Sequence, residues 1–330
     1  MIRRSKLFFH LPAFFLGLLM VSAVFAGWLG PYDPQLESRH ESFHPPSQVH
    51  FWDEDGNFHL TPFVYRTELE VDEYYRRNYK EDTSLRFPLR VARGRLLSVE
   101  DPAHLYLLGT DSRGRDLFSR ILFGARVSLS VGFLGVFLST VLGLVIGAAS
   151  GYFGGRIDQI LMRTAELFIM IPGFYFLLAL RGVLPAELGS KQIYMLIVVI
   201  LSFIGWGGIA RVVRGMVLSI RESEFVMAAR VLGRRHGEIL LRHVIPHTFS
   251  YLLIVVSVSI PSYILAESVL SVLGLGIQEP DISWGNLLSE ALSVAHIQLH
   301  PWVLFPGVVI FLTALSFNAL GDGLRSERNS

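Results

Sequence analysis

Carboxylates lying inside apolar stretches are the first candidates for chemistry. Glu166 sits in the run from about Ile157 to Leu180, and Glu267 in the run from about Phe249 to Leu273. An ionisable group at membrane depth is costly and marks an ion, proton or solute path by default. Glu166 has two readings: a pathway-lining acid, or the partner of Arg163 three residues earlier on the same helical face, which the spacing favours. Glu267 lies one or two turns from the outer end of its run and is expected to reach the interface. Pro261 frees a backbone carbonyl and permits a kink, which suits a gate-lining helix and equally suits ordinary packing. Four histidines, His40, His44, His50 and His59, match no metal-site spacing, so a solvated loop is expected and no metal site. There are 0 cysteines, which excludes thiol catalysis, disulfides and cysteine-ligated metals. No Gly-x-x-x-x-Gly-Lys-Ser/Thr string occurs, so a nucleotide driving this molecule would be bound by another chain. No catalytic residue or cofactor site is expected.

The elements that hold these residues are apolar helices. The chain has 330 residues, 51% hydrophobic and 17% charged, against about 25% charged in soluble domains. A helix needs about 20 mostly apolar residues to cross the hydrocarbon. Six segments approach that template: about Leu7 to Leu29, Val127 to Tyr152, Ile157 to Leu180, Ile193 to Val213, Phe249 to Leu273 and Trp302 to Leu320. The third is interrupted by Arg163, Glu166 and Pro172. Gly132, Gly135, Gly143 and Gly147 in the second allow close helix approach in lipid. The fold class is therefore an all-α membrane protein, a polytopic bundle of about six transmembrane helices with an enlarged external segment between the first and second. Val24-Phe25-Ala26 resembles a signal-peptide end, but the apolar run before it is long, and residues 1–29 are read as an uncleaved anchor.

Orientation follows from Lys and Arg in short loops. The 211–246 region carries Arg211, Arg214, Arg221, Arg230, Arg234, Arg235 and Arg242, and both termini are basic. Residues 275–300 hold Glu279, Asp281 and Glu290 and no Lys or Arg, and the loop after the third span holds only Arg181 and Lys191 against Glu187. Both termini are thus expected in the cytoplasm, and residues 30–105 outside, as a small folded cap. Within it, Phe51 to Phe58 reads as strand–turn–strand and Glu68 to Tyr79 as a short helix. A net charge of +1 with no basic tract interleaved with aromatics gives no reason to expect nucleic acid.

Three strings carry a resemblance. The first contains Gly109, Thr110, Asp111, Gly114, Arg115, Asp116, Arg120 and Arg126, and by spacing reads as a turn and an interfacial helix leading into the second span, with Asp116, Arg120 and Arg126 facing water or headgroups. Residues from about 106 to 325 resemble a permease of the dipeptide/oligopeptide (and nickel) family of ABC importers, whose Leu-Gly-Thr-Asp … Gly-Arg-Asp … Ser-Arg … Arg-x-Ser-Leu signature this string matches, and 106–330 is read as the permease domain. The second string, Glu224, Phe225, Val226, Met227, Ala228, Ala229, Arg230 through Gly233 and Arg234 to Pro246, reads as an amphipathic helix with Phe225, Ala228, Ala229 and Leu232 on one face, suited to a protein groove or to lipid headgroups. It is similar to the Glu-Ala-Ala … Gly … Pro coupling loop of such permeases, with Met227 standing where the motif has Glu. The third, Leu270 to Gly276, Pro280 and Ser283-Trp284-Gly285, resembles the end of the fifth span in that family, and Phe317 to Arg325 its closing motif.

The resemblance implies a bacterial inner-membrane subunit with a cytoplasmic coupling loop over 214–246, paired with a homologous second permease. It implies two cytoplasmic ABC ATPases that bind ATP and Mg, and an extracytoplasmic substrate-binding protein. Peptides are the expected cargo, and nickel or another small solute the alternative. An ion-coupled secondary transporter working alone would show paired acids or an internal repeat, and neither is apparent.

Overall fold

The computed structural model describes residues 2–74, 77–92, 94–183 and 188–329. Glu187 of the loop after the third apolar segment lies outside them. The chain divides into two compact units, one built on residues 129–270 with the two terminal stretches, the other on residues 17–128 and 271–311.

The first unit is helical. Helix α1 is Ile2–Val24. Helix α2, Leu117–Phe153, runs unbroken for 37 residues, so the lead-in at 117–126 is the first part of the span itself and not a separate interfacial helix. Gly154 and Gly155, with φ of 68° and 58°, end α2 in a conformation that a side chain would strain. The third apolar segment is then two helices, α3 at Gly155–Met170 and α4 at Gly173–Val183, because Pro172 disfavours helical geometry in the residue before it. Helix α5 is Ser190–Ile220, and its first turn is closed by the Gln192 side chain accepting the Gly189 N–H at 3.0 Å. Helix α6, Glu224–Val231, is followed by an irregular helical stretch from His236 that carries Pro246 and continues into α7, Phe249–Val272.

Four stretches among the described residues are long and apolar enough to cross a membrane: Leu117–Phe153, Ser190–Ile220, His236–Val272 and Pro301–Arg325. His10–Val24 is apolar but shorter.

Glycines set the helix spacing. A Cβ at Gly143 would come within 2.6 Å of the Ile209 Cβ, and one at Gly151 within 2.8 Å of the Arg214 carbonyl oxygen. At Gly147 it would overlap the Ala210 carbonyl. The 143, 147 and 151 positions, four apart, therefore form the face on which α5 lies. Gly132 and Gly135 receive Ile264 and Tyr263 of α7 in the same way. Hydroxyls bind backbone carbonyls where these helices meet: Ser139 donates to Ser202 O at 3.0 Å, Ser202 to Gly135 O at 3.1 Å and Tyr263 to Leu201 O at 3.1 Å. Asp158 of α3 takes Nε and one terminal nitrogen of Arg214 on α5, at 2.5 and 2.6 Å, and the Ser150 hydroxyl at 2.5 Å.

The second unit holds the strands. β1 (His50–Trp52), β2 (Phe58–Val71) and β3 (Arg77–Pro88) form an antiparallel sheet, and β4 (Arg90–Ala92) pairs with β5 (Arg95–Ser98). The stretch from Glu68 to Tyr79, expected as a short helix, is instead the hairpin end of β2 and β3, with Leu69 opposite Tyr79 and Val71 opposite Arg77. Alternating apolar and charged residues (Leu69, Glu70, Val71) carry the period-2 signature of a strand. Short helices α8 (Trp284–Leu288) and α9 (Val294–Leu299) follow, and α10 is Phe305–Asn329.

Candidate functional site

The first candidate is the loop around α6. Ser223 opens the helix, its carbonyl accepting the N–H groups of Val226 and Met227 at 3.1 and 3.0 Å. Gly233, with φ of 73°, closes it, donating to Arg230 O at 3.0 Å while the Arg234 N–H reaches back to Ala229 O at 3.2 Å. Val226 and Ala229 are buried against Val217, Ile239, Val244 and Leu252. Ala229 therefore turns inward, away from the face on which the sequence placed it with Phe225, Ala228 and Leu232. The inward face is a two-residue anchor, because an eight-residue helix offers only two turns to seat.

What remains outward is apolar. Phe225, Met227, Val231 and Leu232 are exposed, Val231 at 88% and Leu232 at 79%, and Ala228 and Glu224 are exposed beside them. Phe225 stacks on His247 at 4.9 Å. Arg230 lies over the Tyr152 ring at 5.3 Å, and the Tyr152 hydroxyl meets His236 Nδ1 at 3.0 Å. Arg234 and Arg242 both pair with Glu238, the latter at 2.8 Å. Pro246 is exposed at the foot of the irregular stretch. The result is a short apolar knob with a basic rim, fixed from below by buried aliphatic side chains.

The second candidate gathers the 109–126 string with residues 279–302. Gly109 and Gly114 take φ of 77° and 74°, and a Cβ on Gly109 would come within 2.7 Å of His44 O. Between them Asp111, 3% exposed, accepts the N–H groups of Arg113 and Arg115 at 2.8 and 3.0 Å. Its other oxygen takes Arg115 Nε at 2.7 Å and Arg120. Glu279 takes Arg115 at 2.7 Å, Arg120 at 3.1 Å and Arg113 at 2.9 Å. Burial pushes the Glu279 carboxyl up, but the hydrogen bonds and charges of Arg115 and Arg120 outweigh it and hold it at about 2. Asp116 caps α2 by accepting the Ser119 N–H at 2.8 Å. Burial raises its carboxyl to about 6 against the opposing bonds from Ser119 and Phe118.

The water-facing role expected for Asp116 and Arg120 is thus corrected, whereas Arg126 is exposed as expected. Asp116 and Arg120 are 2% and 3% exposed, their charges absorbed by partners that the sequence string does not contain. Arg126 donates to Ala23 O at 2.5 Å and Val24 O at 2.8 Å, capping the last carbonyls of α1. Thr110 is also buried, bonded to His44 N at 2.8 Å and bridged to Asp116. The Trp284 indole donates to Ile121 O at 3.0 Å and packs over Gly124, whose Cβ would lie 3.2 Å from the ring.

Arg163 and Glu166 do form an ion pair, at 3.2 Å, and it is exposed. Pro261 is buried inside an otherwise continuous α7. Glu267 does not reach an interface, for it is 0% exposed and among the largest fully buried side chains. The solvated loop expected for His40, His44, His50 and His59 is corrected, since His50 and His59 lie on strands β1 and β2. His44 is buried, donating Nδ1–H to Pro45 O at 2.6 Å and accepting from Thr67 at 2.9 Å, and burial lowers its ring to about 4. Glu279 and Glu290 were missed as partners of the 109–120 string. The available signal was an acidic loop with no base in it, opposite a loop with three arginines.

Comparison with known proteins gives a consistent picture. Residues 140–326 match the family described as binding-protein-dependent transport system inner membrane component. The chain is 42% identical over 221 residues to the oligopeptide transport system permease protein OppC of Haemophilus influenzae, covering 67% of this chain and 68% of that one. It is 36% identical over 225 residues to OppC of Bacillus subtilis, covering 68% of this chain and 71% of that one. Identity to the dipeptide transport system permease protein DppC of Bacillus subtilis is 39% over 225 residues, 68% of each chain.

Proposed function

The chain belongs to the family of binding-protein-dependent transport system inner membrane components, and we propose that it is the permease subunit of an ABC importer that carries short peptides across the cytoplasmic membrane. The carrying observation is the apolar knob on α6: exposed Phe225, Met227, Val231 and Leu232 on a base whose Val226 and Ala229 are locked into the bundle. A helix seated this way transmits a push into α5 and α7 without being crushed, which is what coupling to a partner requires. The relatives named for oligopeptide and dipeptide transport support peptides as the cargo.

The topology that goes with this reading has six crossings: α1, α2, the broken pair α3–α4, α5, α7 and α10. Both termini and the α6 loop lie in the cytoplasm, as the arginines of residues 211–246 favour. Residues 30–116 and 273–300 then face outward, where a binding protein delivers cargo. A homologous permease completes the pathway, and two ATPases bind ATP and Mg. Closure of the ATPases moves α6, and the spans rock to open the cavity alternately to each side. Met227 removes one polar contact that the motif's Glu would supply and adds apolar surface to the knob.

The test is purification from the native membrane in mild detergent, with ATP hydrolysis measured on what co-purifies. Leu232→Glu changes only exposed surface, so the chain should still accumulate and run as a single species. Burying a leucine stabilises by about 1.5–3 kcal/mol, so ATPase retention should fall about 10- to 100-fold. Transport that persists in a lone chain without ATP and follows an ion gradient would overturn the reading.

A further inference from the structure

Helix α3 has a divided surface. One face is buried on α5: Ala165 is 1% exposed, and a Cβ on Gly207 would come within 2.9 Å of its carbonyl. The outward surface is sorted into two arcs. Ile157, Ile160 and Leu167, at 48%, 66% and 66% exposure, make an apolar arc. Arg156, Gln159, Arg163 and Glu166, spaced 3, 4 and 3 residues apart, make a polar one, which ends on the exposed Met170 one turn beyond Glu166.

On the six-crossing topology proposed above, the polar arc climbs into the membrane. Asp158 is tied to Arg214 at the cytoplasmic end of α5, and Glu166 lies eight residues further along α3, about 12 Å at 1.5 Å per residue. That is well inside a core about 30 Å thick. An ionised side chain facing lipid at such depth is costly. Arg163 does not reach back toward the interface, since its guanidinium is turned to Glu166 at 3.2 Å. Yet the two side chains remain 79% and 43% exposed. Charges that stay open to their surroundings at this depth belong against water, while the neighbouring aliphatic arc belongs against an apolar surface.

We infer that the Arg156–Gln159–Arg163–Glu166 arc lines the water-filled translocation pathway, and that the Arg163–Glu166 pair is an exchangeable binding element for the charged ends of a zwitterionic peptide. This rests on the permease reading and adds to it the wall of the pathway and the groups that read the cargo. A single exposed ion pair contributes little, so it opens easily. Its guanidinium then meets the cargo's carboxylate and its carboxylate meets the ammonium, two contacts weak enough to release. A site that must fill and empty in each cycle needs that weakness.

The chain has 0 cysteines, so single thiols can be placed without background. Gln159→Cys and Ile160→Cys variants are prepared in the complete transporter in membrane vesicles and treated with a membrane-impermeant, charged thiol reagent. Only thiolate reacts, and an apolar setting that raises a thiol's pKa by about one unit cuts thiolate about tenfold. Gln159→Cys should therefore label at least about tenfold faster than Ile160→Cys. A mixture of unblocked alanine di- to pentapeptides should slow that labelling, and the same peptides acetylated and amidated should not. Equal rates at 159 and 160 would overturn the pathway assignment. Faster labelling with no difference between unblocked and blocked peptides would overturn the charged-end recognition. ATP hydrolysis is measured on the same vesicles. If it is lost in the parent complex while 159 still labels faster, the fault lies in the importer reading and not in the placement of the arc.

Discussion

Removing Asp111 should be far more damaging than removing Arg113, although the two are two residues apart in one loop. Asp111 is 3% exposed and compensates Arg115 and Arg120, whose side chains are 8% and 4% exposed. Breaking a buried pair from one side costs about 3–5 kcal/mol, because the surviving charge stays buried. Glu279 still reaches both arginines in Asp111→Ala, which holds the loss to the low end, about 3 kcal/mol. Arg113 contacts Glu37 and Glu279 with a side chain that is 55% exposed, so Arg113→Ala should cost under about 1 kcal/mol. Asp111→Asn should fall between, since its amide oxygen can still accept the Arg113 and Arg115 N–H groups while the charge is lost. Tryptophan fluorescence during thermal unfolding of detergent-purified protein reads this region directly. Trp284 packs on Gly124, and Trp302 donates to Thr110 O at 3.0 Å. Equal shifts for Asp111→Ala and Arg113→Ala would refute the claim that burial of the ion cluster sets its worth.

The pH dependence of the same fluorescence transition tests the buried titratable groups. His44 has its folded pKa lowered from 6.5 to about 4, so the unfolded chain binds the extra proton and stability falls as pH drops across that window. Asp116 has its folded pKa raised from 3.8 to about 6, so here the folded chain binds the extra proton and stability rises as pH drops between 6 and 3.8. The two nearly cancel: Asp116→Asn should expose a loss toward acid and His44→Gln a gain, and a flat profile in both variants would sink the assignment. Glu279, held at about 2 instead of 4.5, contributes stability that is full above 4.5 and lost as pH falls toward 2, and Glu279→Gln should flatten that limb. Gly147→Val should destabilise by about 1–3 kcal/mol by forcing α2 from the Ala210 backbone, seen as a lower unfolding midpoint than for Gly208→Val, where a Cβ meets nothing.

The apolar runs at 127–152, 193–213, 249–273 and 302–320 were readable because lipid demands about 20 apolar residues whatever the sequence context. The third run was readable only as an ambiguity: Pro172 that weakens it in the sequence is where α3 and α4 part. The helix expected over 68–79 failed for a local reason. Its tyrosines and acids suggested a polar helix, whereas the alternation Leu69, Glu70, Val71 is a strand whose partner Tyr79 is ten residues on, a pairing that no local period reveals.

The site residues divide along the same line. Phe225, Ala228 and Leu232 of α6 were identifiable as an outward face from their helical spacing, but the exposure of Met227 and Val231 was not, and the inward turn of Ala229 depends on Ile239 and Val244, which fold back from beyond Gly233. In the 109–126 string Asp116 and Arg120 looked solvent-facing, because a single string shows charges without their partners. Glu279 comes 159 residues after Arg120, and only the fold joins them at 3.1 Å. A string dense in Asp and Arg that leads into an apolar helix therefore has two physical solutions, an interface with water or a buried network with a distant acidic loop. The choice rests on whether the chain elsewhere holds acids that lack bases. Residues 275–300 are such a segment, with Glu279, Asp281 and Glu290 and no Lys or Arg. Glu290 accepts the Ser112 hydroxyl at 2.6 Å and Glu279 takes three arginines, so the imbalance that the charge rule reads as an outward side also marks what the loop binds.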